Sequence, residues 1–225
     1  MTRPRKLALA RTPTPIIRHD ALDELVGAEV WVKRDDLTEG PAAGNKIRKL
    51  EYLLAEALDR GARVVVTCGA LQSNHARATA ILARQLGLRS VLLLRSQDPA
   101  RARADRGNAF LDLLVGAELR GITPAQYRER DRLMAEVARE MAERGDSAYV
   151  IPEGGSSGLG ALGYVDAMAE VRRQLDAGEA GGPKGFDAVA HACGSGGTAA
   201  GVVLGAALHG VAPTVLAMAV CDDRA

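Results

Sequence analysis

The chain has 225 residues, a net charge of +1, 47% hydrophobic residues and 25% charged residues. This length fits one large domain or two small ones, and the balanced charge excludes nucleic acid and anionic membranes as evident partners. Because no apolar run reaches the roughly 18 residues that span a bilayer, and residues 1–11 lack a secretory apolar core, we predict a globular cytoplasmic protein.

Short β-prone runs alternate with helical patterns along the chain. In chain order, the predicted strands are Val30–Arg34, Val64–Cys68, Ser90–Leu94, Ala117–Arg120, Ala148–Ile151, Ala188–Cys193 and Thr214–Val220. The predicted helices between them are Lys46–Arg60, Ala76–Leu86, Asn108–Val115, Pro124–Arg144, Leu162–Leu175 and Thr198–His209. Several of these strands are apolar throughout, which is typical of parallel strands buried on both faces. Repeated βα alternation therefore predicts an α/β fold with open parallel sheets.

Glycines mark the ends of the predicted helices. A left-handed residue commonly closes a helix, and five glycines stand where such a residue is expected: Gly61, Gly87, Gly116, Gly145 and Gly210. The last predicted strand has no following crossover, although a buried parallel strand normally leads to one. We therefore expect the C-terminal edge of this sheet to be incomplete.

The three cysteines, Cys68, Cys193 and Cys221, have no metal-like spacing. Each lies near the end of an apolar run, which favours buried thiols in a reducing compartment. The sequence predicts no metal site.

Lys46 begins the first long helix, directly after Gly44 and Asn45. An amine held there near a carbonyl group can form a Schiff base. Lys49 lies one turn further along a similar face and could add a second positive charge for a phosphate. Solvated surface lysines are the alternative interpretation of both residues.

Ser73, Asn74 and His75 follow the strand Val64–Cys68 and precede a helix. Ser73 and Asn74 stand where N-cap residues belong, so a purely structural role is possible. The same position at the carboxyl edge of a sheet suits an anion such as a substrate carboxylate. For His75, packing or solvent exposure fits the pattern better than ligand binding.

The turn Gly194-Ser195-Gly196-Gly197-Thr198 has the composition of an anion nest at a helix N-terminus. Gly194, Gly196 and Ala199 also satisfy the G-x-G-x-x-A spacing of dinucleotide sites, with Asp222 at a suitable distance. A nicotinamide-binding protein is thus an alternative on this segment alone.

A fourth turn, Ile151–Gly158, contains Gly154 and Gly155 and also joins a strand to a helix. A flexible crossover would explain it. Four such turns at one sheet edge nevertheless predict a shared cleft.

Several stretches occur together and in order: WVKRDDLT, GNKIRKLEYL, GALQSNHARATAILARQLGL, GNAFLDLLVGAEL, YVIPEGGSSGLGALGYVDA and ACGSGGTAAG. Together they resemble the D-cysteine desulfhydrase and 1-aminocyclopropane-1-carboxylate deaminase family, pyridoxal-phosphate enzymes of fold type II. The resemblance implies two open twisted parallel-sheet domains, each a three-layer αβα arrangement. The larger domain would comprise residues 1–43 plus 145–225 and be incomplete at its C-terminal end. The smaller domain, residues 44–144, would be inserted into it.

The resemblance also implies roles for the turn residues. Lys46 would hold pyridoxal 5'-phosphate covalently, and Asn74 would bind the ring hydroxyl group. Ser73 would contact the substrate carboxylate or assist proton removal. The other residues expected in the site are Lys49, Gly194, Ser195, Gly196, Gly197 and Thr198 around the phosphate, and Asn74, His75, Gly154 and Gly155 around the substrate.

The activity implied is that of a homodimeric lyase acting on a small amino acid, first of all D-cysteine desulfhydrase. Residues 69–75 and 149–165 look closer to the desulfhydrases than to the deaminases. 1-Aminocyclopropane-1-carboxylate deaminase and L-cysteate sulfo-lyase are the alternatives. Because family members are longer than this chain, a C-terminally truncated, inactive remnant is the alternative that is not an enzyme.

Overall fold

The computed structural model describes residues 3–99, 106–182 and 184–221. Its strands are β1 (Ile16–Arg18), β2 (Trp31–Lys33), β3 (Val64–Ala70), β4 (Arg89–Arg95), β5 (Glu118–Ile122), β6 (Ala148–Val150), β7 (Ala188–Cys193) and β8 (Thr214–Ala219). Its helices are α1 (Asp20–Val26), α2 (Lys46–Asp59), α3 (Asn74–Gln85), α4 (Gly107–Leu114), α5 (Pro124–Tyr127), α6 (Arg130–Glu143), α7 (Gly158–Asp176) and α8 (Gly197–His209). Short 3-10 turns cover Asp35–Leu37 and Glu153–Gly155.

Four parallel strands form the main sheet, in the order β5-β4-β3-β6. Strand β3 is central, with Val66 paired to Val91 on one side and to Val150 on the other. Strands β7 and β8 form a separate parallel pair, and β1 pairs with β2 in antiparallel fashion. The predicted α/β class with parallel sheets is confirmed.

The core explains why β3 is apolar along its length. Leu50 of α2 and Leu82 of α3 pack in one cluster with Val65, while Met134 and Met141 of α6 share a second cluster with alternate β3 residues. Helices thus cover both faces of the sheet, so its central strand needs no polar face.

Most predicted elements are confirmed to within a few residues, and two helices differ more clearly. Helix α7 begins at Gly158 instead of Leu162, because the Ser157 side chain caps the helix by accepting a hydrogen bond from the Gly160 N–H at 3.1 Å. The single helix predicted over Pro124–Arg144 is two helices, since Glu129 leaves helical geometry at φ −104° and ψ 22°. The segment β1–α1 was not predicted.

The five glycines expected after helices all adopt left-handed φ values, between 61° and 83°. Of the cysteines, Cys68 is buried, Cys193 is half-buried and Cys221 is exposed. The prediction of a buried thiol is therefore wrong for Cys221, which follows the largely exposed strand β8.

The main sheet extends past the predicted domain boundary at residue 144. Strand β6 pairs with β3 and so belongs to the sheet assigned to the smaller domain. The division into two domains otherwise remains a prediction. Within the described ranges, no helix is long and apolar enough to cross a membrane.

Helix α7 lies between α2 and α8 and touches both closely. A Cβ atom at Gly163 would overlap the carbonyl oxygen of Arg48 on α2. On the other side, a Cβ atom at Gly201 or Gly205 of α8 would overlap atoms of α7. These glycines set the spacing of the three helices, because any side chain would push the backbones apart.

Candidate active site

Lys46 is the first residue of α2, and the loop before it is held in place by Thr38. The Thr38 hydroxyl accepts a hydrogen bond from the Gly44 N–H at 3.0 Å and donates one to the Gly44 carbonyl at 3.2 Å. Gly44 adopts φ 124°, which a larger residue would rarely adopt. The Lys46 amine donates to Asn45 Oδ1 at 3.1 Å, and burial lowers its pKa. A neutral lysine amine is a nucleophile.

Lys49 is 1% exposed, although it carries an amine. Its Nζ donates to the Gly154 carbonyl at 3.0 Å and to Ser156 Oγ at 3.4 Å. Among the described residues, no carboxylate forms an ion pair with it. Burial, and then the positive charge of Lys46, lowers the pKa of Lys49 to about 8.

The turn between β7 and α8 presents backbone N–H groups. Gly196 is the N-cap of α8 with φ 82°, and the helix begins at Gly197. Ser195 Oγ lies 2.7 Å from Ser156 Oγ, which also accepts a hydrogen bond from the Gly197 N–H at 3.2 Å. The free N–H groups of the first turn of α8 add the positive end of the helix dipole.

A cavity of about 60 Å³ joins these parts. Its lining residues are Asn45, Lys46, Lys49, Ala192, Cys193, Gly194, Ser195, Gly196, Thr198 and Ala199. The buried amine of Lys49 and the half-buried amine of Lys46 thus face a helix N-terminus across a small polar space. This combination attracts an anion of the size of a phosphate group.

The donors of the cavity fit pyridoxal phosphate. The backbone N–H groups of Gly196 and Thr198, the Ser195 and Thr198 hydroxyls and the Lys49 ammonium group are suitable partners for the phosphate oxygens. Lys46 supplies the amine that this cofactor requires. The residues present therefore match both the phosphate group of the cofactor and the aldehyde that reacts with an amine.

Ser73 and Asn74 lie at the N-terminus of α3, as predicted. Ser73 is the N-cap, and its hydroxyl accepts a hydrogen bond from the Ala76 N–H at 3.2 Å. Neither residue belongs to the lining of the cavity around Lys46 as far as the structure is described. Arg77 joins the two parts, because its guanidinium donates to the Ala43 carbonyl at 2.6 Å, in the loop before Lys46.

His75 lies beneath the turn and not at its surface. It is 4% exposed, and its Nε2 is 2.9 Å from Thr67 Oγ1 on β3. Thr67 uses its own proton for the Ile151 carbonyl at 2.8 Å, so Nε2 carries the hydrogen and the imidazole is neutral. Burial and the charges of Lys46 and Lys49 lower the pKa of His75 to about 3. This placement supports the packing interpretation of His75, and its contact with a substrate stays a prediction.

Gly154 and Gly155 adopt φ values of 64° and 63° in the turn after β6. A Cβ atom at Gly154 would overlap Ser195 Oγ, so this turn packs directly against the turn that begins α8. Neither glycine lies in the described lining of the cavity. The pair therefore supports the cavity indirectly, through the contact of Gly154 with Ser195.

Ser156 was not singled out by the sequence, yet it connects the site. Its hydroxyl oxygen contacts Lys49, Ser195 and the Gly197 N–H. The run EGGSSG was a visible signal, but two adjacent serines gave no way to choose between them. Asp222, the residue of the nicotinamide alternative, lies outside the described residues.

The fold and the site define a class of protein. The chain belongs to the family of pyridoxal-phosphate dependent enzymes, whose pattern it matches over residues 7–223. Family membership confirms the resemblance and the cofactor class, and it replaces the nicotinamide interpretation.

Particular relatives narrow the class. A Thermotoga maritima protein, provisionally named 1-aminocyclopropane-1-carboxylate deaminase, is 48% identical over 89% of this chain. The Arabidopsis thaliana bifunctional D-cysteine desulfhydrase/1-aminocyclopropane-1-carboxylate deaminase is 41% identical over 96% of the chain. The D-cysteine desulfhydrase of Salmonella schwarzengrund is 38% identical over 100% of the chain. The chain spans 61%, 54% and 66% of these three relatives, respectively.

A solved structure shows the same arrangement. The crystal structure of a homologue of 1-aminocyclopropane-1-carboxylate (ACC) deaminase superposes with a TM-score of 0.84 at 40% identity, covering 96% of this chain and 63% of that one. A fungal L-serine ammonia-lyase from Rhizomucor miehei shares the fold at 18% identity, with a TM-score of 0.68. The fold type II assignment is confirmed.

Proposed function

We propose that the protein is a pyridoxal-phosphate dependent lyase that converts D-cysteine to pyruvate, sulfide and ammonia. Activity toward 1-aminocyclopropane-1-carboxylate or L-cysteate is the alternative. The names of the relatives support both the desulfhydrase and the deaminase reading. One observation carries the proposal: Lys46, half-buried and of lowered pKa, shares a cavity with a helix N-terminus.

The residues of the chain would divide the work. Lys49 and the turn Gly194–Thr198 would hold the phosphate, and Lys46 would hold the cofactor covalently. Asn74 would donate to the ring oxygen, and Ser73 would bind the substrate carboxylate. When bound, the cofactor supplies an electron sink for the bond-breaking at the substrate.

Proton transfer can be assigned to two groups. Burial lowers the pKa of Lys46, which favours the neutral form of the released amine, and this form would accept the Cα proton. Ser73, whose hydroxyl oxygen accepts the Ala76 N–H, is the second candidate for assisting removal of the Cα proton. Loss of the Cα proton and of the Cβ sulfide leaves 2-aminoacrylate, which one water molecule hydrolyses to pyruvate and ammonia.

The experiment that tests the proposal is titration of the purified protein with pyridoxal phosphate. We expect a visible absorbance band in the unchanged protein and its loss in Lys46→Ala. Lys184→Ala is the matched control, because Lys184 is exposed and does not line the cavity. A band of equal strength in Lys46→Ala would overturn the assignment of the lysine. Absence of a band in every protein would favour the remnant that lacks activity.

The substrate is then decided by products. D-cysteine should give pyruvate and sulfide, whereas 1-aminocyclopropane-1-carboxylate would give 2-oxobutyrate and ammonia, and L-cysteate would give sulfite. A rate for D-cysteine below that for either competitor would overturn the preferred reading. Homodimerisation and a cytoplasmic location are further parts of the proposal, which light scattering and cell fractionation test directly.

A further inference from the structure

The Asn108 carboxamide, at the start of α4, is bonded on every side. Its Nδ2 donates to the Gln72 carbonyl at 2.8 Å and to Asn74 Oδ1 at 2.9 Å. Its Oδ1 accepts a hydrogen bond from Arg77 Nη1 at 3.2 Å. Its backbone N–H donates to Gln72 Oε1 at 2.6 Å. Asn108 therefore ties α4 to the turn that carries Ser73 and Asn74.

Two neighbours determine which way the Asn108 carboxamide is turned. An arginine can only donate, so the oxygen of Asn108 must face Arg77. A backbone carbonyl can only accept, so the nitrogen of Asn108 must face Gln72. Both constraints give the same orientation of the carboxamide, which removes the usual ambiguity of an asparagine side chain.

The orientation of Asn108 in turn determines that of the Asn74 carboxamide. Because Asn108 donates to it, Asn74 must turn its Oδ1 toward Asn108 and its Nδ2 away. No other hydrogen bond of the Asn74 carboxamide is present within the described ranges. Asn74 therefore offers an N–H donor to whatever ligand atom lies beyond it.

Arg77 is itself fixed in place. Its second terminal nitrogen donates to the Ala43 carbonyl, at 2.6 Å. The guanidinium of Arg77, where this relay of hydrogen bonds from Arg77 through Asn108 to Asn74 begins, is thus held by Asn108 of α4 and by the loop before Lys46.

We propose that Arg77 and Asn108 are positioning residues that make Asn74 a hydrogen-bond donor to the ring oxygen of pyridoxal phosphate. This inference rests on the proposed function. The relay favours a ring oxygen that accepts, and so its deprotonated form. Neither Arg77 nor Asn108 touches the cofactor in this arrangement; both act through Asn74.

The test compares two probes, pyridoxal phosphate and its 3-deoxy analogue, which lacks the ring oxygen. Dissociation constants are measured for the unchanged protein, Asn108→Asp and Asn108→Leu. A carboxylate at position 108 can only accept, so Asn74 would turn over and present oxygen to oxygen. We expect Asn108→Asp to bind pyridoxal phosphate at least about tenfold more weakly while its affinity for the analogue stays within about twofold. Asn108→Leu leaves Asn74 free to turn, so its selective loss should be about threefold to fivefold.

Gln126→Glu is the matched control, because it makes the same amide-to-carboxylate change in an exposed helix cap. It should alter neither affinity. Equal weakening of both probes in the Asn108 variants would show a merely structural role and overturn the inference, as would unchanged affinities. If Asn108→Asp does not fold, the ratio of the two affinities in Asn108→Leu decides. Failure of the unchanged protein to bind either probe would overturn the proposed function as well, which separates the two failures.

Discussion

Arg48 and Lys49 are neighbours on α2, and both are 1% exposed, yet their surroundings are opposite. Arg48 donates to both oxygens of Asp35 at 2.8 Å and to both oxygens of Glu170 at 3.0 Å. Lys49 has one carbonyl and one hydroxyl. Burial opposes both charges, but the two carboxylates raise the pKa of Arg48, whereas that of Lys49 falls to about 8.

The contrast separates a structural charge from one that is held for a ligand. A buried cation surrounded by carboxylates has its charge compensated within the fold. A buried cation without a carboxylate is costly until an anion arrives. The charge missing around Lys49 is therefore the strongest physical indication that this side of α2 binds an anion.

The largest effect is expected from Glu170→Ala, which removes one of the two carboxylates around Arg48. The variant leaves Arg48 and Lys33 buried with one carboxylate fewer, which should lower the free energy of unfolding by about 3–5 kcal/mol. Urea unfolding measures the loss. Glu143→Ala, at an exposed position of α6, should stay within about 0.5 kcal/mol. A loss below about 1 kcal/mol for Glu170→Ala would contradict the structural role given to this network.

The pH dependence of stability tests the cost of burying Lys49 without a carboxylate. The pKa of Lys49 is lowered from 10.5 to about 8 in the folded protein, so between these values the unfolded chain binds more protons. Stability should therefore rise with pH across this window, by up to about 3 kcal/mol from this residue.

The measurement is urea unfolding at several pH values for the unchanged protein, Lys49→Met and Lys184→Met. The rise should be smaller in Lys49→Met and unchanged in Lys184→Met, whose side chain is exposed. Identical slopes in all three proteins would mean that Lys49 is not a strained cation.

The smallest expected effect comes from a pair of adjacent serines. Ser156→Ala removes the oxygen that contacts Lys49, Ser195 and the Gly197 N–H, and should weaken pyridoxal phosphate binding about fivefold to tenfold. Ser157→Ala removes the cap of α7 and should instead cost about 1 kcal/mol of stability with little change in affinity. Equal affinity losses in the two variants would argue against a special role for Ser156.

Local sequence predicted the fold where local causes decide it. Strand β3 is apolar throughout because helices cover both of its faces, and glycines close the helices where left-handed geometry is required. Strand β7 has a similarly apolar sequence, but its residues alternate between exposed and half-buried. Burial depends on what packs against a strand, and the strand's own residues do not encode that.

The site shows the same division. Lys46 and Gly196, which line the cavity, could be predicted there because each stands in a turn that leads into a helix. Ser156 could not be found, because its partner Ser195 is 39 positions away in the chain. The burial of His75 agrees with the packing alternative that the sequence left open, and the ring's contact with Thr67 on β3 is the detail that the sequence did not predict.

The tight contact of Gly163 with Arg48 has a consequence for how the site can be tuned from a distance. A methyl group at Gly163 would displace the backbone of α2 next to Lys49. Gly163 is not part of the described cavity lining, but it packs against the backbone of Lys49, which is. A substitution at Gly163 would thus change cofactor affinity without altering any side chain that binds the cofactor. Selection for cofactor binding would then also constrain the glycine at this helix contact.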